Sequence, residues 1–220
     1  MALTSTALTL ADLLERFGPI PVARIRYDPP PGTATEADVL ALEAREDRLF
    51  ELVDGVLVEK AMGFYESFLA MRLAQLLLAF VEQQALGFIA GADGMRRLAP
   101  GLVRIPDISF VSWDRLPERR VPRRPIPDLA PDLVVEVLSA GNTSQEMAQK
   151  LQDYFTAGVR LVWYVDPILQ EVHVYTAPDQ HTVLTAAHSL DGGEVLAGFM
   201  LPVQQVFAEP TAGAEPEPMP

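Results

Sequence analysis

Hydrophobic positions change their period several times along the chain, and each change marks an element. Thr9 precedes LADLLERF, whose apolar residues recur at helical spacing up to Gly18, which predicts a capped helix over 9–17. A proline-rich stretch follows, and a second helical pattern begins at about 35. In LFELVDGVLVEK (49–60), Asp54-Gly55 sits between two apolar runs, the strongest short-range signal for a two-residue hairpin. The stretch SFLAMRLAQLLLAFV (67–81) predicts a helix over about 65–85 that ends near Gly87. It carries Arg72 and Gln75 and is too short to cross a bilayer core of about 30 Å at about 1.5 Å per residue, so it reads as a buried helix.

GFIAGADGMRRLAPG and VRIPDISFVSW then supply strands broken by glycine and proline, with Pro106 at a strand start or edge. PDLVVEVLSA (131–140) is apolar on both faces, as the middle of a covered sheet requires. Thr143 and Glu146 form a capping box for a helix whose Met147, Leu151, Tyr154 and Phe155 share one face and whose stop is Gly158. VRLVWYVD and EVHVYTA (159–177) are two further strands joined by a turn at Pro167. The order hairpin, helix, strands, helix, strands predicts an α/β sandwich, a mixed β-sheet flanked by helices. Residues 1–34 read as an N-terminal helical extension and linker and 35–207 as the main domain. Residues 208–220 read as an acidic, proline-rich tail too poor in apolar groups to be ordered.

Composition narrows the chemistry. With 220 residues and 49% apolar content, the chain can bury a full core as one domain. The absence of cysteine removes disulfides, thiolate nucleophiles and sulfur-ligated metals, so any metal rests on oxygen ligands or on His173, His181 and His188. His173 and His181 fall in a late hairpin and read as surface or structural. The first residues show neither a basic region nor an uninterrupted apolar core, so we expect no secretory or transit signal, a cytoplasmic location and no membrane contact. A net charge of −13 opposes bulk electrostatic coating of nucleic acid. Locally, however, eight arginines lie between 96 and 124, and Arg119, Arg120, Arg123 and Arg124 form a candidate phosphate-contacting loop. A solvated loop balanced by Asp114 and Glu118 is the alternative reading.

Glu136 is the most informative residue, because Val134, Val135, Val137 and Leu138 surround it in a strand that asks to be buried. A buried carboxylate costs several kcal/mol unless it is paired, hydrogen-bonded, metal-bound or protonated. Asp107 poses the same problem in RIPDISFV, where it shares a strand face with Ile105, Ser109 and Val111. If the two acids converge, a hard divalent cation such as Mg²⁺ or Mn²⁺ is the simplest compensation. Glu51, on one face with Val53, Val56 and Val58, is a third acid in apolar company, and Glu66 at the head of the apolar helix is a fourth. Lys150, one of only two lysines, flanks the sheet-facing side of the capped helix. Plainer roles stand beside these: Lys150 as a snorkelling side chain, Glu51 as an arginine partner, Asp107 as a turn acid.

The segments FELVDGVLVE (50–59), RIPDISFVSWDRLP (104–117), APDLVVEVLSAGNT (130–143), KLQDYFTAGVRLVWYVDP (150–167) and LDGGEVLAGFMLP (190–202) resemble the Uma-two-like restriction-endonuclease family. That family is a branch of the PD-(D/E)XK nuclease superfamily, and the resemblance covers roughly 35–207. It implies a restriction-endonuclease-like core in which Asp107 and Glu136 bind Mg²⁺ (or Mn²⁺) together and Lys150 takes the lysine role. In the superfamily that lysine stands two residues after the second acid; here Leu138 does, and the lysine comes from the following helix instead. Glu51 matches the family's first-hairpin acid, whereas Glu66 stands where many members have histidine. The first expectation is a Mg²⁺-dependent endonuclease hydrolysing phosphodiesters of DNA, ahead of RNA, as a two-fold homodimer that meets both strands. Two competitors remain: an inactive nuclease-fold module that binds nucleic acid or a protein partner, favoured by the net charge, and a hydrolase of smaller phosphate esters.

Overall fold

The structure, a computed structural model, describes residues 8–46 and 48–210. The expected tail from 211 onward and the first seven residues lie outside this range. Asp54 and Gly55 adopt left-handed backbone conformations, φ 45° and 77°, and close a two-residue turn between β1 (Phe50–Val53) and β2 (Val56–Glu59). Asp and Gly are the residues that tolerate this geometry. At Gly55 a Cβ would also lie 2.5 Å from the backbone of Gly32, so the hairpin closes tightly over the preceding segment.

The hairpin belongs to a four-stranded sheet, β2-β1-β5-β4, completed by β4 (Arg96–Ala99) and β5 (Leu102–Arg104). Period-two alternation gives it two apolar faces. Phe50, Leu52 and Leu57 pack against Val39 and Leu42 of α2 (Glu36–Glu46). Val53, Val56 and Val58 pack against Leu13 and Phe17 of α1 (Leu10–Phe17), together with Ile20 and Ile25. Arg24 anchors this N-terminal segment further, through an ion pair of 2.8 Å with buried Glu146.

The second sheet is six-stranded and mixed, in the order β10-β9-β8-β7-β6-β3. Its strands are β3 (Gly87–Ala90), β6 (Ile108–Ser112), β7 (Leu133–Val137), β8 (Leu161–Asp166), β9 (Glu171–Ala177) and β10 (Gln180–Leu184). Only β7 and β8 run parallel, because α4 (Ser144–Thr156) supplies the crossover that parallel neighbours need. α4 starts at the predicted capping box, Thr143 with Glu146, and is followed by Gly158 at φ 89°. One face of the sheet, including Phe110, Val135 and Trp163, packs on Leu69, Leu73, Leu77 and Val81 of α3 (Phe64–Gln83). The same core takes in α5 (Val203–Val206) and the small ribbon β11 (Ser189–Asp191) and β12 (Met200–Pro202). The other face carries Val134, Val162 and Tyr164 against Met147, Leu151 and Tyr154 of α4.

Two departures from the sequence reading have physical causes. The expected single sheet is divided, and the division falls at Ile105-Pro106-Asp107 between β5 and β6. Pro106 has no N–H for a ladder, so the chain changes sheet there. The apolar helix lies within about two residues of the expected 65–85, and the departure is in its reach, which the 67–81 stretch had put below a bilayer's width. At 20 residues α3 is long and apolar enough to cross a bilayer by length and composition, yet its i, i+4, i+8, i+12 line is the core of this domain.

At the start of β7, buried Asp132 ties three segments together. Its carboxylate accepts from the Ser112 amide at 2.8 Å, from Arg115 at 2.9 Å and from Arg160 at 3.0 Å. Burial pushes this carboxyl up, but those donors outweigh it and hold the group below its ordinary 3.8. Its stabilising contribution is therefore complete above about pH 4 and is lost as pH falls through the lowered folded value. We expect Asp132→Asn to cost about 1–3 kcal/mol at neutral pH. Urea titrations from pH 7 to 2 should show the gap to wild type closing only below pH 4.

Candidate active site

Glu136 sits near the end of β7 with its side chain on the sheet face covered by α4. Lys150 and Tyr154 stand four residues apart on α4, hence on one flank, and both reach the same carboxylate oxygen. Lys150 Nζ lies 3.2 Å from Glu136 Oε1, and the Tyr154 hydroxyl donates to that oxygen. Lys150 also lies 3.1 Å from Glu51 Oε1 of β1, so one ammonium joins the two sheets. Glu51 further accepts from Arg104 at 2.7 Å and from the Ile105 amide at 3.1 Å. Arg104, 1% exposed, pairs on its other side with Asp153 of α4.

Asp107 stands just before β6, beside the end of β7. Its Oδ2 accepts the Val137 amide at 2.7 Å, which places it against the residue after Glu136, and its Oδ1 lies 2.7 Å from Lys60 Nζ. Lys60 follows β2 and donates as well to the Ile105 carbonyl. Glu51, Asp107, Glu136 and Asp153 thus form one buried cluster with Lys60, Arg104 and Lys150. Four carboxylates against three cations leave one negative charge when all are ionised.

The acids of this cluster are shifted in opposite directions. Burial raises the Glu51 carboxyl, but Lys150, Arg104 and the Ile105 amide more than offset it and hold it at about 2. Glu136 is pushed up instead: burial comes first, Asp107 and Glu51 add repulsion, and Lys150 only partly opposes them. Burial lowers Lys150, yet Glu136 and Glu51 raise it more, so its ammonium is held charged beyond the ordinary lysine range. Tyr154 is driven well above its ordinary value, mainly by burial and then by Glu136, and stays a hydrogen-bond donor. Lys150 can therefore stabilise negative charge, whereas it is a poor proton acceptor.

Among the residues singled out from sequence, Glu51, Glu136 and Lys150 meet directly, and Asp107 adjoins them through Val137 and Lys60. Glu66 does not join the cluster; it borders an opening of about 510 Å³ shared with Arg24, Lys60, Ser139 and Gly141. The chain carrying Arg119, Arg120, Arg123 and Arg124 leaves β6 at the end away from Asp107. These arginines are exposed, and Arg119 faces Asp114 at 3.5 Å. Lys60, Arg104, Asp153 and Tyr154 were not anticipated in the site. One signal existed for Lys60, since the chain has two lysines and both lie at the acid cluster.

Among the described residues no group of three acids or histidines is disposed to hold a metal. Asp107 and Glu136 are hard oxygen donors of the kind a hydrated Mg²⁺ takes, one or two carboxylates with water and phosphate oxygens completing its shell, and they lie close enough for their charges to repel. Repulsion from Asp107 contributes to the raised Glu136 carboxyl, and a cation between the two would relieve it.

Residues 36–204 match the model of a family described as "Putative restriction endonuclease", Uma2. The chain belongs to the Uma2 family. The matched region contains both acids, Glu51, Lys60 and Lys150. A solved structure described as "a putative nuclease belonging to DUF820 from Anabaena variabilis ATCC 29413" superposes with a TM-score of 0.64 at 21% identity, over 73% of this chain and 90% of that one. At that identity the likeness speaks for the fold, which is the nuclease-like α/β fold expected of a Uma2 protein. No curated protein matches the chain.

Because Arg104 is the shared cation of Glu51 and Asp153, Arg104→Met should leave Asp153 without its cation and Glu51 with Lys150 and the Ile105 amide alone. We expect a loss of about 3–5 kcal/mol in urea unfolding. Asp153→Asn should cost less in the Arg104→Met background than in wild type.

Proposed function

We propose that the protein is a Mg²⁺-dependent endonuclease that hydrolyses phosphodiester bonds of DNA. The observation that carries this reading is the shared Lys150 ammonium, fixed between Glu136 and Glu51 and adjacent to Asp107. Asp107 and Glu136 would hold the metal, which when bound supplies Lewis-acid polarisation of phosphate and a water acidic enough to attack at neutral pH. Lys150, kept protonated by its two acids, offsets the charge that grows on the phosphate oxygens as the water oxygen bonds to phosphorus and the ester oxygen departs. Tyr154 and Lys150 hold one oxygen of Glu136, and the Val137 amide holds one oxygen of Asp107, so both carboxylates are oriented before substrate arrives.

Supercoiled plasmid should be nicked with Mg²⁺ or Mn²⁺ and spared with chelator. Glu136→Ala and Lys150→Ala should each lower the rate by about a hundredfold or more. Circular dichroism would confirm that the variants fold. Pure protein that cleaves no DNA under any divalent metal overturns the reading.

A second reading has one observation behind it. Asp107 and Glu136 already have protein partners, namely Lys60, the Val137 amide, Lys150 and Tyr154, as an inactive module would arrange them. Filter binding of DNA that persists in chelator, with no turnover in metal, selects that module.

A two-fold homodimer belongs to the first reading, since each copy carries one acid cleft and a duplex has two strands. Phe64, Met71 and Leu78 form an exposed apolar line at seven-residue spacing along α3, and we assign the contact to it. Sedimentation should then give a dimer for wild type and a monomer for Met71→Glu.

A further inference from the structure

On the other flank of α4 from Lys150 lies a groove of about 640 Å³ with no part in the chemistry above. Ser144, Met147, Ala148 and Leu151 of α4 form one wall, and strands β8 to β10 form the opposite one. Three rings make a ladder across those strands. His173 and His181 lie 5.8 Å apart and nearly coplanar in orientation at 4°, and His181 and Tyr175 lie 4.9 Å apart at 25°. Tyr164 adjoins Tyr175 at 5.2 Å. Ile168, 84% exposed, stands at the rim beside Pro167. His173 Nε2 is buried without a hydrogen-bond partner, 4.0 Å from Glu171.

We propose that this groove takes an unpaired nucleobase of the strand whose phosphate is cleaved at Asp107 and Glu136. The inference rests on the nuclease reading and adds a substrate class to it: single-stranded or locally extruded DNA. Flat rings set in a row are a stacking platform that any base can extend, whereas a base locked in a duplex cannot enter. The lining contains no lysine or arginine but includes Asp166 and Asp179, so it repels phosphate while offering acceptors to exocyclic amino groups. Its volume falls within the roughly 300–1,000 Å³ range of small-ligand pockets.

Continuity with the opening beside Lys60, the ion-pair partner of Asp107, argues for this occupant. Ser139 and Ala140, in the loop between β7 and α4, line both this groove and the opening that contains Lys60. The four residues Ser139 to Asn142 span at most about 14 Å, a distance that a few unstacked nucleotides cover. One strand crossing this loop can present a phosphate on the Lys60 side and a base on the ring side.

The test uses a single-stranded DNA oligonucleotide carrying 2-aminopurine, whose fluorescence is quenched on stacking, with the full chain in chelator so that no cleavage intervenes. Wild type should quench it and bind it more tightly than the same oligonucleotide annealed to its complement. His181→Ala should weaken binding about tenfold and lose most of the quenching, while His181→Phe, which keeps a flat ring, should restore both. His181 is exposed, so these variants test stacking rather than folding. Equal quenching by wild type and His181→Ala, no binding of the single strand, or equal affinity for duplex overturns the inference. The two readings fail separately. Metal-dependent cleavage with quenching unchanged in His181→Ala removes the groove and leaves the nuclease. Ring-dependent quenching by a protein that cleaves nothing keeps a base-binding groove and removes the nuclease.

Discussion

Buried charge governs this structure. Four carboxylates and three cations are withdrawn from water between two sheets, and no one of them is tolerable there alone. Arg104 links β5 to β1 and α4, Lys150 links α4 to β1 and β7, and Lys60 links the end of β2 to Asp107. The same contacts that satisfy these groups set the spacing between the two sheets. Stability and site geometry are therefore one problem with one solution, and a loss of either partner in a pair exposes the other as an uncompensated ion.

The cluster also sorts its acids. Glu51 is surrounded by donors and held at about 2, which makes it an anchor for Lys150 and Arg104. Glu136 is raised by burial and by neighbouring acids, so it is the carboxylate with most to gain from a further positive charge. The difference comes mainly from charge: Glu51 is reached by two cations and then by the Ile105 amide, while Glu136 shares Lys150, lies beside Asp107 and relies on a neutral tyrosine. A nuclease-like fold belonging to the Uma2 family thus carries an acid pair in which one group is anchored by an amide and the other is left electrostatically incomplete.

α4 divides the functional surface. Its cluster-facing flank carries Lys150, Asp153 and Tyr154, and its other flank walls a ring-lined groove. The loop from Ser139 touches both, so the capping box at Thr143 positions two surfaces with one helix start. Asp166 and Asp179 line the groove, whereas Lys60 and Arg24 border the opening on the other side of the loop.

Much of this was legible before any coordinates, wherever the physics was local. The turn at Asp54-Gly55, the capping box at Thr143 and Glu146, the stop at Gly158 and the covered strand around Glu136 depend on residues within a few positions of one another, and short-range patterns encode them. The oddity of acids in apolar strands is equally a sequence property, and it singled out Glu51, Asp107 and Glu136. What satisfies those acids is not. Lys60, Arg104, and Asp153 with Tyr154 come from the end of β2, from β5 and from α4, and each carries an ordinary structural reading until the fold brings it into the charged cluster. The ring ladder of His173, Tyr175 and His181 is likewise a product of strand register. Periodicity determines which face a residue occupies, but only long-range packing decides what stands opposite it.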